Sequence, residues 1–316
     1  MSRRQGAQLG QISDFDLRLI RVFKAVVDSG GFTAAEAVLG ISRSAISIHM
    51  GDLEARTGLK LCQRGRSGFA LTEEGREVYR AGLQLLAAME TFRTEVNALH
   101  RHLRGELNIG ITDNLVSLPH MRITHALAAL KEAGPEVRIN IHMIPPSEVE
   151  VGVMDGHLHV GVVPTIGPLA GLDYRPLYGE TVQLYCGEAH PLFQRDDAGI
   201  SDAELAAADA VVPSFALPPD GQRCHEPLQG TATATDREGI AFLVLTGRYI
   251  GFLPEHFAAR WVDEGRLRAL RPDAWHYQVD YSTITRRGRR PHLVLETFLD
   301  ALYARPPAHR RLPAED

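Results

Sequence analysis

The chain has 316 residues, of which 44% are hydrophobic and 23% charged. These values are typical of a globular protein and argue against a disordered or fibrous chain, and the length favours two domains. No apolar run is long enough for a signal peptide or a membrane span, and three distant cysteines form no disulfide framework. We therefore expect a cytoplasmic protein with no membrane partner.

The charge is distributed unevenly along the chain. Residues 1–72 contain ten lysines and arginines against six aspartates and glutamates, a net charge of +4, so the whole-chain charge of −5 leaves −9 for the remainder. A basic segment suits contact with phosphates, and an acidic remainder is repelled by them. Only the N-terminal end is therefore expected to dock on DNA.

The first elements form a helix-turn-helix pattern. A helix capped by Asp14 or Asp16 is followed by a short helix capped by Thr33, a turn at Gly40, and a third helix opened by Ser42. Two short helices around one glycine are typical of this motif. The first predicted helix begins after that aspartate and ends at about 28, and the other two cover 34–39 and about 43–57.

The third helix and a following strand pair are the candidate DNA-binding elements. The polar face of the helix can donate to phosphates and base edges, and residues 59–71 predict a two-stranded wing with a basic tip. The alternative interpretation is a solvated helix face. The candidate residues are Thr33, Ser42, Arg43, Ser44, Ser47 and His49 in the helices, and Arg64 and Arg66 in the wing.

A long helix without proline is predicted from 72 to 103. Large apolar residues recur in it every seven positions in two series, with Gly82 as the exception, which favours a coiled coil with a second chain. The alternative is a helix that packs on its own domain. The predicted dimer seam comprises Val78, Leu85, Met89, Phe92, Val96, Leu99 and Leu103.

After Gly105 the pattern becomes an alternation of strands and helices, which predicts an α/β domain with mostly parallel strands in two lobes and a ligand cleft between them. Strands are predicted at 107–111, 137–144, 160–163, 174–186, 210–212, 231–235, 249–253 and 281–285. Helices are predicted at 119–133, 148–155, 202–207, 237–246, 254–264 and 292–303.

Three domains are therefore predicted. A winged helix-turn-helix covers 12–72, a linker and dimerisation helix covers 73–103, and an effector-binding domain covers 105–305. Lobe I of this last domain takes about 105–164 and 267–305, and lobe II takes about 165–266.

An enzyme is the main alternative class. The chain lacks G-x-S-x-G, H-E-x-x-H, the phosphate-binding loop and the dinucleotide fingerprint, so we expect neither catalysis nor a cofactor. His157 and His159 alternate on one strand, but two histidines without a third ligand do not indicate a metal site. A stand-alone solute-binding protein would not need the 105 N-terminal residues.

Several motifs occur in an order and spacing that resemble the LysR-type transcriptional regulators. They are Gly31–Ala35, SRSAIS at 42–47, Leu53 with Glu54, Arg64, LTEEG at 71–75, DGHLHVGVV at 155–163, AHPL at 189–192 and GRYIGFLPE at 247–255. The resemblance covers nearly the whole chain.

The resemblance implies a winged helix-turn-helix, a linker-helix dimer and a two-lobed effector domain like a periplasmic binding protein, often assembled as a tetramer. It also implies the partners: a partly palindromic promoter site that the protein bends, further copies of the chain, a small organic effector that changes the bend, and RNA polymerase.

Carried over position by position, the resemblance also implies the lining of the effector cleft. A carboxylate at Asp113 would repel an anionic effector and attract an amine, or it would merely cap the next helix. The implied residues are Thr112, Asp113, Asn114, Pro146, Ser147, Pro164, Thr165, Ser214, Phe215 and Thr235.

The chain departs from the family pattern within the third helix. Arg43 and Ser44 stand where Gln and Pro are common, and Ile48 and His49 replace a basic pair. Arg43 can make a bidentate contact with guanine, whereas Gln would favour adenine. Gly51 costs the helix about 1 kcal/mol relative to Ala. In the effector domain, His159 occupies a position that is usually Asp.

Overall fold

The structure, a computed structural model, describes residues 10–65, 68–98, 103–112, 115–118, 120–289 and 292–304. The chain divides into two compact units: residues 1–91 with 155–157, and residues 92–154 with 158–316. Four predicted site residues, Arg66, Leu99, Asp113 and Asn114, lie outside the described residues. No helix in the described ranges is both long and apolar enough to cross a bilayer.

The N-terminal unit has the predicted winged helix-turn-helix architecture. Leu19 and Phe23 of the first helix, Ile46 and Met50 of the third, and Leu61 before the wing share one buried core. The elements are α1 (Asp14–Asp28), α2 (Phe32–Leu39), α3 (Arg43–Thr57), the antiparallel strands β1 (Cys62–Gly65) and β2 (Gly68–Leu71), and the first half of α4 (Glu73–Ala98).

Two of the predicted helix caps are wrong. Ser13 rather than an aspartate caps α1, and Asp16 completes the capping box by accepting the Ser13 backbone N–H at 2.8 Å. Thr33 lies exposed inside α2, which begins at Phe32. The reason is that Gly31 (φ 149°) allows the chain to reverse there, so that Phe32 enters the core.

The start of α4 explains the LTEEG sequence. The Thr72 hydroxyl accepts the Gly75 backbone N–H at 2.9 Å and donates to the Lys60 carbonyl at 2.6 Å. A Cβ atom at position 75 would lie 1.9 Å from the Leu61 carbonyl oxygen. Only glycine lets the helix begin this close to the backbone that enters the wing.

The seam residues divide into three groups. Val78 packs against the N-terminal core. At Gly82, the exception in the repeat, a Cβ atom would lie 3.0 Å from Ile20 of α1. These first two positions of the repeat therefore contact the chain's own N-terminal unit. Leu103 lies beyond α4 and packs against the core of the second unit, so its assignment to the seam is wrong. The middle positions, Leu85, Met89, Phe92 and Val96, are half-buried or exposed.

The second unit is built on a continuous mixed sheet in the described part of the chain, in the order β4-β3-β5-β11-β6-β9-β7-β8 with β10 on β6. Its strands are β3 (Glu106–Ile111), β4 (Arg138–Met143), β5 (Val160–Pro164), β6 (Leu172–Gly187), β7 (Asp209–Pro213), β8 (Gln229–Ala234), β9 (Ile250–Pro254), β10 (Leu267–Ala269) and β11 (His276–Arg286). Its helices are α5 (Arg122–Ala133), α6 (Pro146–Asp155), α7 (Asp202–Ala207), α8 (Pro219–His225), α9 (Arg237–Leu245), α10 (Glu255–Asp263) and α11 (Leu293–Tyr303).

Parallel pairing is confined to the lobes. In lobe I, β3 pairs in parallel with β4 and β5, and in lobe II, β7 pairs in parallel with β8 and β9. The long strands β6 and β11 pair antiparallel and pass from one lobe to the other, with an irregularity between Tyr281 and Ser282. From the sequence, only the second half of β11 was located, and nothing indicated that β6 and β11 carry one sheet from lobe to lobe.

Candidate functional site

The first candidate site is the outward surface around α3. Ser42 caps the helix by accepting the Ala45 backbone N–H at 3.4 Å, as predicted, and the Arg43 backbone N–H donates to Glu36 at 2.5 Å. Glu36 thus occupies one of the helix N-terminal donors that would otherwise face a phosphate. The side chains of Arg43 and Ser44 are exposed.

The face of α3 differs in part from the predicted one. Ser47 and His49 are half-buried, whereas Ile48 is 63% exposed. Thr33 is exposed on α2. In the wing, the backbone of Arg64 pairs with Phe69 across the two strands. Of the predicted residues, Thr33 on α2 and Ser42, Arg43 and Ser44 at the start of α3 are therefore exposed. The structure adds Ile48, which in the sequence is only a departure from the family pattern.

Glu54 joins the third helix to the wing. Its carboxylate, 11% exposed, accepts the Leu61 backbone N–H at 2.9 Å and lies 2.6 Å from the Lys60 ammonium. Burial raises the pKa of Glu54, but these hydrogen bonds outweigh it and hold the pKa below its ordinary value of 4.5. This contact fixes the wing relative to the helix that it flanks.

Replacing Glu54 by Gln is expected to lower the free energy of unfolding of the N-terminal unit by about 1–3 kcal/mol at neutral pH. The folded-state pKa lies below the unfolded value, so the stabilisation is present above about pH 4.5 and is lost as the pH falls through the folded pKa. Urea unfolding at several pH values measures this. A difference between wild type and variant that stays constant on acidification would contradict it.

The second candidate site is a cavity of about 570 Å³ between the two lobes, which we call the interlobe cavity. Its walls are mainly apolar, with a few polar groups, as is usual for small-molecule sites. The lining from lobe I is Thr112, Met143–Pro146, Pro164 and Ile166; from lobe II, Pro213, Phe215–Pro218, His225, Thr235–Glu238, Ile240 and Phe252; and from the connecting strands, Val182, Tyr277 and Val279.

Five of the predicted cleft residues line this cavity: Thr112, Pro146, Pro164, Phe215 and Thr235. Three do not. The Thr165 hydroxyl pairs with Ser282 at 2.7 Å, the Ser214 hydroxyl donates to the Ala234 carbonyl at 3.1 Å, and Ser147 is absent from the lining. The hydroxyls of Thr165 and Ser214 thus bond to neighbouring strand ends, and neither residue lies in the cavity lining.

Two buried polar atoms of the cavity lining have no hydrogen-bond partner among the described residues. One is the hydroxyl of Thr112, which is 3% exposed, and the other is Nε2 of His225, which is 8% exposed. His225 Nδ1 lies 2.8 Å from the Gly221 carbonyl, which can only accept, so Nδ1 carries the proton and Nε2 is an acceptor. Burial lowers the pKa of His225 and keeps the ring neutral.

A buried charged network borders the same cavity. Arg237, at the start of α9, donates to Glu180 at 2.8 Å and to the Tyr281 hydroxyl at 2.7 Å. The second Glu180 oxygen lies 2.9 Å from His256 Nε2, and His256 Nδ1 lies 2.8 Å from the hydroxyl of Ser117 in lobe I. A chain of hydrogen bonds therefore connects the cavity wall in lobe II to lobe I.

His159 takes a structural role. Its Nδ1 accepts the Asn108 backbone N–H at 3.0 Å, and its ring stacks on His292 at 4.7 Å between centroids. Burial lowers the pKa of His159 to about 3, so the ring is neutral at physiological pH. The neutral histidine fills the place of the usual aspartate as a hydrogen-bond acceptor. No group of three potential metal ligands occurs among the described residues.

Comparison with known proteins assigns both units. A family model described as "Bacterial regulatory helix-turn-helix protein, lysR family" matches residues 17–76, and one described as "LysR substrate binding domain" matches residues 100–306. The chain belongs to the LysR family of transcriptional regulators. The predictions of a DNA-binding regulator, of its fold class and of a protein that is not an enzyme are thereby confirmed.

Two of the relatives align over almost the full chain. The HTH-type transcriptional activator BauR of Pseudomonas aeruginosa is 62% identical over 302 residues, which cover 96% of this chain and 99% of BauR. The SDS degradation transcriptional activation protein of a Pseudomonas species is 26% identical, with coverage of 94% and 99%.

Solved LysR-type structures share the fold. Full-length CbnR in complex with its target DNA aligns with a TM-score of 0.62 at 20% identity, covering 90% of this chain and 98% of CbnR. A full-length OxyR variant from Pseudomonas aeruginosa, with a cysteine replaced by aspartate, aligns with a TM-score of 0.58 at 17% identity, covering 96% and 100%.

The charged network of this LysR-type regulator was not predicted from the sequence. The sequence did contain one signal. Arg237 is the first residue of a helix, where a cation interacts unfavourably with the helix dipole, so other groups must stabilise it there. Its partners Glu180, Tyr281 and His256 are separated by up to 101 residues in sequence, and nothing local connects them.

Proposed function

We propose that this LysR-type regulator is a transcription activator that binds promoter DNA as a homodimer or homotetramer and responds to a small organic effector in the interlobe cavity. Activation is supported by the name of BauR, a transcriptional activator at 62% identity. Contact of the DNA-bound protein with RNA polymerase would then raise transcription. The DNA contacts would come from the exposed residues of α2 and α3 and from the wing.

Self-association is supported by the exposed apolar positions of α4. Phe92 is 68% exposed and Val96 is 39% exposed, and both continue the seven-residue spacing of Leu85 and Met89. A seven-residue apolar repeat forms a narrow stripe, which two helices bury by pairing. The proposed seam is accordingly shorter than the predicted one and extends from Leu85 along the rest of α4.

The observation that carries the effector proposal is the buried Thr112 hydroxyl at the cavity wall, without a partner among the described residues. A buried hydroxyl without a hydrogen bond is costly, and a ligand polar group would satisfy it. The acceptor Nε2 of His225 adds a second requirement, for an N–H or O–H on the ligand. The effector would therefore have an apolar body, a polar group at Thr112 and a donor at His225.

Replacing Thr112 by Val is expected to weaken effector affinity about 3- to 10-fold, the value of one hydrogen bond, with DNA affinity nearly unchanged. Valine has the same shape, so the cavity keeps its volume. A thermal-shift screen of metabolites on the wild type identifies the effector, and titration of both proteins with it gives the two affinities. Thr297→Val, in α11 and off the cavity lining, is the matched control. Unchanged effector affinity in Thr112→Val would contradict the proposed site.

A further inference from the structure

The outward surface of α3 carries a line of uncharged residues. Ser44, Ile48, Gly51 and Ala55 follow one another at intervals of four, three and four residues, so they share one face of the helix, and all four are exposed. We call this line the outer edge of α3. The opposite face supplies Ile46, Met50 and Leu53 to the core.

Ile48 is not used by the fold of its own chain. It is 63% exposed, whereas a β-branched apolar residue contributes to stability mainly when it is buried. It also lowers helix propensity slightly relative to the straight-chain residues that usually cover a solvated face. Its position on the outer edge therefore favours a contact outside the chain.

Gly51 is likewise unexplained by packing. It lies in the interior of α3, where glycine is the least favourable residue apart from proline, and it is not among the residues with positive φ. A Cβ atom built at position 51 would meet nothing within 4 Å. Neither backbone conformation nor a neighbouring atom requires glycine here, so the missing side chain leaves space for an external surface.

We propose that Ile48 reads the 5-methyl group of a thymine in the major groove of each half-site, and that Gly51 lets α3 lie close enough for this contact. The proposal depends on α3 being the helix that enters the groove. The thymine methyl is the apolar group that the floor of the major groove presents, and isoleucine is complementary to it. The outer edge carries no cation, so it suits base edges better than phosphates.

Replacing thymine by uracil in the duplex removes the methyl group alone. The duplex is first selected from a random library by the full-length protein. Uracil is then placed at one thymine of each half-site, and wild-type affinity is expected to fall about fourfold per position, which corresponds to the burial of one methyl group. The Ile48→Ala variant is expected to bind the thymine and uracil duplexes equally. Val38→Ala removes another exposed apolar side chain, 70% exposed on α2, and is expected to discriminate like the wild type.

Gly51→Ala is expected to change thermal stability and DNA affinity in opposite directions. The thermal midpoint is expected to rise by a few degrees, because alanine favours the helix. Specific DNA affinity is expected to fall at least about fivefold, because the methyl group separates the helix from the groove. The proposal would be overturned if affinity rose together with stability, if uracil at every thymine left wild-type binding unchanged, or if Ile48→Ala kept the discrimination.

Discussion

Replacing Phe92 by Glu is expected to weaken self-association at least about 100-fold, because the substitution would bury a carboxylate without a partner in the paired helices. Phe92 is 68% exposed in the single chain, so its replacement should leave the fold of each unit intact. Affinity for a two-half-site duplex should fall by a similar factor, since the second half-site is then no longer bound by a linked copy.

Sedimentation equilibrium on the full-length protein measures the association. Ala88→Glu is the matched control, because it adds the same charge at an exposed position of α4 outside both seven-residue series. Coiled coils commonly carry charged residues beside the apolar seam, so this variant should remain associated. A Phe92→Glu protein that sediments like the wild type would exclude α4 pairing through this position.

Replacing Arg43 by Ala is expected to lower specific DNA affinity about 5- to 150-fold and to relax base choice at one position of each half-site, which corresponds to the roughly 1–3 kcal/mol of a bidentate guanine contact. Arg43 is exposed, and its backbone rather than its side chain makes the hydrogen bond to Glu36, so the helix start should survive the change.

Substitution of 7-deazaguanine for guanine separates base reading from charge. It removes the N7 acceptor, so it should weaken the wild type at one guanine per half-site and leave Arg43→Ala unaffected. Arg21→Ala, an exposed arginine of α1, removes the same charge and should lose affinity about equally for all sequences. If the two arginine variants behave alike, Arg43 contributes only general attraction to phosphates.

The N-terminal unit could be predicted from the sequence because its signals are local. The Ser42 cap and the Gly40 turn each act within a few residues, and the bounds of α3 were predicted without error. The caps of α1 and α2 were missed for a similarly local reason. Gly31 and Ser13 lie just outside the apolar pattern, so a prediction from that pattern placed the start of each helix at least one residue too late.

The cavity was harder to predict because its lining depends on contacts between distant segments. Thr112 and Thr165 are both threonines after a strand of lobe I, yet one hydroxyl is buried at the cavity and the other pairs with Ser282, which lies 117 residues away. Leu103 fits a seven-residue series but follows the end of α4. A periodic pattern does not show where a helix stops when no proline or capping residue marks the end.

Selection of bound duplexes from a random DNA library by the full-length protein tests the assignment most directly. A dimeric LysR-type regulator with α3 in the major groove should enrich two inverted half-sites whose centres lie about one helical turn, or a whole number of turns, apart. The Phe92→Glu protein should bind the same duplexes far more weakly. Enrichment of a single unpaired half-site by the wild type, or no enrichment over random DNA, would contradict this account.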